Sequence, residues 1–238
     1  MNRLYTIGYA NKSIEEFINL LKSYNINCIV DVRSMPFSKQ YPLYNEMELK
    51  KCLSKYNIKY LSFKKEFGAR RDEHELYSEI TTYENNIIEV VDFKKVWNHQ
   101  NFDDGVKRVL NGLNKSLNIC FLCSEKYAYD CHRGIMVAEY FFRKGYKVDH
   151  IVDNSNLIEH EKIETFLHEN FIKAKNKFEK IHATQLNELQ YASNLFGINL
   201  IDEYIIFWKD FFKIYSREKA FELRNYEIGY RKGNNEDE

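Results

Sequence analysis

Two prolines and nine glycines in 238 residues leave this chain few programmed turns. No window approaches the ~20 mostly apolar residues that a membrane-spanning helix needs, and the opening Met1-Asn2-Arg3-Leu4-Tyr5 lacks the apolar run of a secretory signal. Net charge is missing as well. The 35 Lys+Arg balance 35 Asp+Glu, which argues against a nucleic-acid binder working through bulk positive charge and leaves only a local basic patch. Cys28, Cys52, Cys120, Cys123 and Cys131 make an odd, unevenly spaced set unlike a secreted disulfide framework, so the thiols are expected to be reduced and the chain cytoplasmic. Also absent are the phosphate-cradling G-x-x-x-x-G-K, the dinucleotide-binding G-x-G-x-x-G, the zinc-protease H-E-x-x-H and the deaminase pattern. The cysteine-phosphatase spacing fails too, because the sixth residue after Cys123 is Tyr129 and the sixth after Cys131 is Val137.

What is present is a globular composition, 44% hydrophobic and 29% charged, with 18 Tyr and 17 Phe promising an aromatic core. Over the first half, short apolar runs alternate with amphipathic windows. That alternation predicts an α/β fold: a mostly parallel, Rossmann-like sheet flanked by helices in three layers. The strands are expected at 4–8, 27–32, 58–63, 118–123 and 147–152. One helix should start behind Ser13, where Ser13 and Glu16 form a capping box. A second is expected over 46–56 behind an Asn45 cap, and a third over about 131–144, stopped by Gly145. The stretch 76–116 reads as mostly helical. Strand signals stop near Asp153, dividing the chain into an α/β domain over 3–152 and a helical extension over 153–238 that ends in a frayed acidic tail. In the extension, Phe207, Phe211 and Tyr215 recur every four residues beside Trp208 and Phe212. Such a stripe is expected to pack on the core or on a second copy in a homodimer, with an aromatic platform for bases or a ligand as the alternative.

In an open parallel sheet, ligands bind beyond the carboxyl ends of the strands. The residues there are Gly8, Tyr9 and Asn11 after the first strand, and Asp31, Arg33 and Ser34 after the second. After the fourth come Cys123, Ser124 and Glu125, then Asp130-Cys131-His132-Arg133. Asp31 and Arg33, two apart, share a face; they form either a rim salt bridge or an anion clamp in which Asp31 orients Arg33. The loop 34–44 holds both prolines and suits a substrate wall. An Asp130 cap would put Cys131, His132 and Arg133 in the first helical turn, where free N–H groups favour an anion and ease ionisation of a thiol. Cys131 is therefore the expected nucleophile, Cys123 its alternative, and Glu125 or His132 the proton carrier; the bland reading packs Cys131 as a small apolar residue. Arg70, after the third strand, is a further candidate for an anion, against a solvated surface loop. No metal or other cofactor is predicted: a zinc site on Cys123, Cys131 and His132 is disfavoured, since adjacent Cys131 and His132 would diverge in a helix.

The segments Thr6-Ile7-Gly8-Tyr9-Ala10-Asn11, Asp31-Val32-Arg33-Ser34 with Pro36 and Ser38, and Cys123-x-Glu125 followed by Cys131-His132-Arg133 together resemble a bacterial and archaeal family called domain of unknown function 488. The resemblance covers about residues 3–152. It implies a compact α/β domain with Asn11, Asp31, Arg33, Cys123, Glu125, Cys131, His132 and Arg133 as its characteristic polar residues, and it supplies no settled reaction. Phe67-Gly68-Ala69 departs from the Leu-Gly-Gly usual among relatives.

The resulting expectation is a cytoplasmic enzyme for an anionic, phosphate-bearing substrate such as a nucleotide or nucleic-acid end. Arg33 and Arg133 would clamp the anion, Cys131 or Cys123 attack, and Asp31, Glu125 or His132 move protons, with Tyr9, Asn11, Ser34 and Arg70 around the substrate. The alternatives are a noncatalytic nucleotide or nucleic-acid binding module, or an assembly protein dimerising through its extension. No membrane partner is expected.

Overall fold

In a computed structural model that describes residues 3–154, 156–187 and 203–231, the five apolar runs become the parallel strands of one sheet. These are β1 (Arg3–Gly8), β2 (Cys28–Asp31), β3 (Lys59–Ser62), β6 (Ile119–Cys123) and β7 (Lys147–Ile151); a sixth, antiparallel edge strand is β8 (Leu157–Glu159). The order is β3-β2-β6-β1-β7-β8. β2 and β6 are buried at every position, as expected of strands covered on both faces.

One face is covered by α1 (Ile14–Ser23) and α2 (Glu46–Ser54), whose Phe17, Leu20, Leu21, Leu49 and Leu53 meet Ile7, Ile29 and Leu122. Ser13 caps α1 as its spacing predicts, its hydroxyl accepting from Glu16 N at 3.1 Å. The other face carries α5 (Gln100–Asn114) and a continuous rod made of a π-helical turn, Arg133–Ala138, running into α6 (Glu139–Arg143). Phe102, Met136 and Phe141 there meet Leu4, Val30 and Phe121. Each such fully buried side chain contributes roughly 1.5–3 kcal/mol, so the three-layer order follows from the apolar runs.

Three expectations need correction. The stretch read as mostly helical opens with an antiparallel hairpin, β4 (Tyr77–Thr81) and β5 (Ile87–Val91), before α4 (Phe93–Trp97) and α5. The β-branched run Ile87–Val91 and the left-handed Asn85, φ 64°, outweigh the helical spacing. Asn45 makes no side-chain cap; its Oδ1 accepts from Ser38 N at 2.6 Å and folds the 34–44 loop back on α2. β8 extends the sheet past residue 152, a strand of three residues being too short to show a period.

Among the described residues, the helices of the extension are α7 (Ile163–Ile181), Glu203–Lys213 and Arg217–Ile228. Its Phe171, Phe178, Trp208, Phe212 and Phe221 belong to the same buried cluster as Phe121. Trp208 Nε1 donates to Thr81 O at 2.8 Å, so the aromatic stripe packs on the hairpin, leaving Phe207 52% exposed. The acidic tail lies outside the described residues. No helix among the described residues is long and apolar enough to cross a membrane.

Candidate functional site

β1 leads through α1 to β2, on one side, while the adjacent β6 leads through the π-helical rod to β7, on the other. Connections leaving neighbouring strands in opposite directions open a crevice at their carboxyl ends. Gly8 and Cys123 are paired there, and Tyr9 N and Ala10 N continue the ladder to Cys123 O and Ser124 O. A Cβ on Gly8 would sit 1.7 Å from Glu125 O, so only glycine lets β1 pass under the loop that carries Glu125.

The segment after that loop differs from expectation in a way that makes the site. Residues Ala128–Asp130 form a 3-10 turn, and Cys131 is extended, with φ −147° and ψ 144°. Asp130 is no cap; Arg224 of the last helix holds its carboxylate at 2.5 Å. Cys131 itself occupies the cap position, its carbonyl accepting from Gly134 N and Ile135 N and its Sγ from Arg133 N at 3.4 Å. With Cys131 extended and His132 helical, both side chains reach Cys123. His132 Nδ1 lies 3.8 Å from Cys123 Sγ and 3.9 Å from Cys131 Sγ, and the three atoms all fall within 4.8 Å of one another. The geometric objection to a shared Cys123–Cys131–His132 site therefore disappears.

His132 Nε2 is 2.9 Å from Val32 O, which can only accept, so that nitrogen carries a proton and Nδ1 faces the sulfurs. Burial pushes the Cys123 thiol up, but the Cys131 thiol and the His132 ring bring it below its ordinary value. Burial and the adjacent Cys123 sulfur push the Cys131 thiol well above its ordinary value. Burial opposes the charge on His132, and the Cys123 sulfur and Glu125 more than restore it. Glu125, resisted by burial, is held below the usual carboxylate range by the Cys131 thiol and His132. Cys123 and Cys131 are 2% and 3% exposed, whereas Glu125 is exposed as a residue although its carboxylate lies against the cluster. The thiol favoured by sequence as nucleophile is thus the less ionised of two shielded sulfurs.

Asp31 and Arg33 do pair, Arg33 Nη2 lying 2.5 Å from Asp31 Oδ2, but both are buried. They stand with Ile29 on the α1 and α2 face, opposite Val32 and Cys123. Tyr60 donates to the same Asp31 oxygen at 2.6 Å, and the guanidinium lies 5.2 Å from the Tyr9 ring, which stacks on Tyr44. Arg33 Nη1 is buried without a hydrogen-bond partner. Arg133 is not free to clamp an anion as expected, because its guanidinium donates to Glu125 O, Lys126 O and Thr6 Oγ1 and so shapes the loop. Ser34 Oγ accepts from Arg70 N at 2.8 Å, while the exposed Arg70 guanidinium lies 5.0 Å from the Tyr230 ring. Asn11 provides a left-handed turn, φ 62°. The residue behind it was not singled out by sequence: Lys12 is 5% exposed, its ammonium disfavoured by burial and only partly supported by Glu16. No periodicity marks such a lysine, since the turn at Asn11 is what buries it.

A family model described as Domain of unknown function DUF488 matches residues 13–141. No curated protein and no solved structure matches the chain.

Proposed function

The chain belongs to the DUF488 family, and from its geometry we propose an enzyme whose reaction centre is the Cys123, Glu125, Cys131 and His132 cluster and whose substrate is an anion. The observation that carries this is the convergence of two sulfurs, an imidazole and a carboxylate where the strand order reverses. Glu125 is the accessible group of the set and is assigned the proton transfer to or from substrate; the shielded sulfurs and His132 set the charge beneath it. An anionic substrate is supported by Lys12, a buried ammonium that Glu16 and Asp153 offset only in part and that Arg133 and Lys126 disfavour, and by Arg33 Nη1, which is buried without a hydrogen-bond partner. Of the phosphate-bearing classes, nucleotides and nucleic-acid ends remain the first to try, beside the exposed Met35 and Phe37 of the 34–44 loop.

The test incubates the full chain with nucleotides, phosphorylated sugars and short 5′-phosphorylated single strands, reading conversion by mass spectrometry and binding by calorimetry. Conversion of one class should fall at least ~100-fold in Glu125→Gln, within the range of a lost general acid or base. Lys12→Met should weaken binding about tenfold, corresponding to ~1.4 kcal/mol. Binding without conversion of any probe favours the noncatalytic module instead, and conversion untouched by Glu125→Gln removes the assigned role.

A further inference from the structure

The spacing of the three donor atoms is that of metal ligands. With bond lengths of about 2.3 Å to sulfur and about 2.0 Å to nitrogen, a tetrahedral ion separates two sulfurs by about 3.8 Å and a sulfur from a nitrogen by about 3.5 Å. The observed sulfur–nitrogen separations are 3.8 and 3.9 Å, with every pair inside 4.8 Å. We propose that Cys123 Sγ, Cys131 Sγ and His132 Nδ1 hold one zinc-class divalent metal ion, its fourth position turned toward Glu125 and solvent.

Independent features of the surroundings point the same way. His132 gives its Nε2 proton to Val32 O at 2.9 Å, which fixes the ring and directs the Nδ1 lone pair at the sulfurs, as imidazole ligands are usually held. The Arg133 amide donates to Cys131 Sγ at 3.4 Å from the start of the helical rod, a contact that favours a thiolate ligand. Two sulfurs and an imidazole select zinc over magnesium or calcium, which prefer oxygen. Three protein ligands with an exchangeable fourth position is the pattern of a catalytic rather than a structural site. Near-complete burial of Cys123 and Cys131 also suits ligands better than nucleophiles. The ion supplies Lewis acidity at the crevice; Glu125 carries the proton, and Val32 O and the Arg133 amide orient the ligands. The inference deepens the reading of this cluster as a reaction centre and rests on the same geometry.

Metal analysis of the full chain purified from zinc-supplemented medium should find about one zinc per chain, and the double variant Cys123→Ser with Cys131→Ser at least tenfold less. Because both serines replace buried residues, chelator-treated wild type is also titrated with cobalt(II). Saturation near one equivalent, with sulfur-to-cobalt charge transfer and the intense visible bands of a tetrahedral ion, is expected. Glu125→Gln should keep the stoichiometry and shift those bands. Zinc-free purified protein whose cobalt complex lacks charge transfer overturns the metal site. The two readings fail separately: zinc bound with no probe converted removes the reaction and leaves the ion, whereas conversion by protein that neither retains zinc nor gives cobalt charge transfer removes the ion and leaves the reaction.

Discussion

His150 Nε2 lies 2.9 Å from His160 Nδ1, and the pair is the middle link of a buried chain whose donors all point one way. Arg133 Nε donates to Thr6 Oγ1 at 3.3 Å, the Thr6 hydroxyl to His150 Nδ1 at 2.8 Å, and His160 Nε2 to Glu139 Oε2 at 2.8 Å. A guanidinium can only donate and a carboxylate only accept, so the ends fix both imidazoles as Nε2–H tautomers. Arg143 and Arg217 grip Glu139 from outside the chain, and Arg217 belongs to the last helix. Hydrogen bonds thus connect the extension to the loop that carries Glu125.

This chain predicts acid sensitivity. Burial depresses both histidines: His150 is further lowered by His160 and Arg133, while the Glu139 contact only partly restores His160. Burial would raise Glu139, but the His160 N–H and Arg217 hold it below the usual carboxylate range. All three groups bind fewer protons folded than unfolded. Their contribution is therefore complete above the ordinary histidine value of about 6.5 and is lost as pH falls, first through the histidines and then through the carboxylate. Urea midpoints should drop between about pH 7 and pH 5. At pH 7, Glu139→Gln should cost about 3 kcal/mol, because it leaves two arginines facing an uncharged amide. A flat profile would exclude neutral histidines in the chain.

Asp31 and Arg33 give the second prediction. Breaking a buried pair from one side strands the other charge, so Asp31→Asn should cost about 3–5 kcal/mol, including the weakened Tyr60 contact. Arg33→Met should cost less than Asp31→Asn, since Asp31 keeps the residue 33 amide and the Tyr60 hydroxyl as donors. In a double-mutant cycle, the pair of substitutions should recover at least about 1 kcal/mol relative to the sum of the single effects. Strict additivity would mean the contact contributes nothing beyond its two environments.

How far the sequence foretold this arrangement depends on the range of the interactions. The apolar runs of β2 and β6 and the Ser13-Glu16 spacing act within a few residues and are read directly. Cys131 is different. Its extended backbone follows a turn whose Asp130 is held by Arg224, 94 residues away, so a locally sound cap assignment was displaced by a distant cation. The candidate residues were legible one by one, because they cluster just after strands. Their division between two faces was legible only in part: alternation puts Asp31 and Arg33 together, yet the convergence of Cys131 with His132 required the tertiary contact. Glu139, His150 and His160 gave no signal, since each is an ordinary residue made conspicuous by partners 10 to 144 positions away.

The extension supplies the third prediction. Trp208 is 1% exposed and is packed among Phe211, Phe212 and Tyr83 as well as bonded to Thr81 O. Trp208→Ala should therefore cost about 3–5 kcal/mol and do so in a single transition, because extension and sheet share one core. Two separate transitions, with the more stable one unchanged by Trp208→Ala, would show that the α/β domain folds without it.

Gly8 and Gly145 are both glycines at strand or helix ends, but they are glycine for opposite reasons. Gly145 has φ +85° and open space around it, so Gly145→Ala meets only backbone strain and should cost about 1–2 kcal/mol without touching the site. At Gly8 a methyl group would collide with Glu125 O, an atom that Arg133 Nη1 holds at 2.7 Å. The loop must then move away from β1 and take Glu125 with it. Gly8→Ala should cost about 1–3 kcal/mol, as overpacking does, yet its larger effect should fall on the cluster. Zinc or cobalt occupancy and any conversion measured with wild type should fall in Gly8→Ala and remain in Gly145→Ala. If both variants lost stability equally and kept the cluster's properties, the close passage of β1 beneath Glu125 would not be what positions that carboxylate.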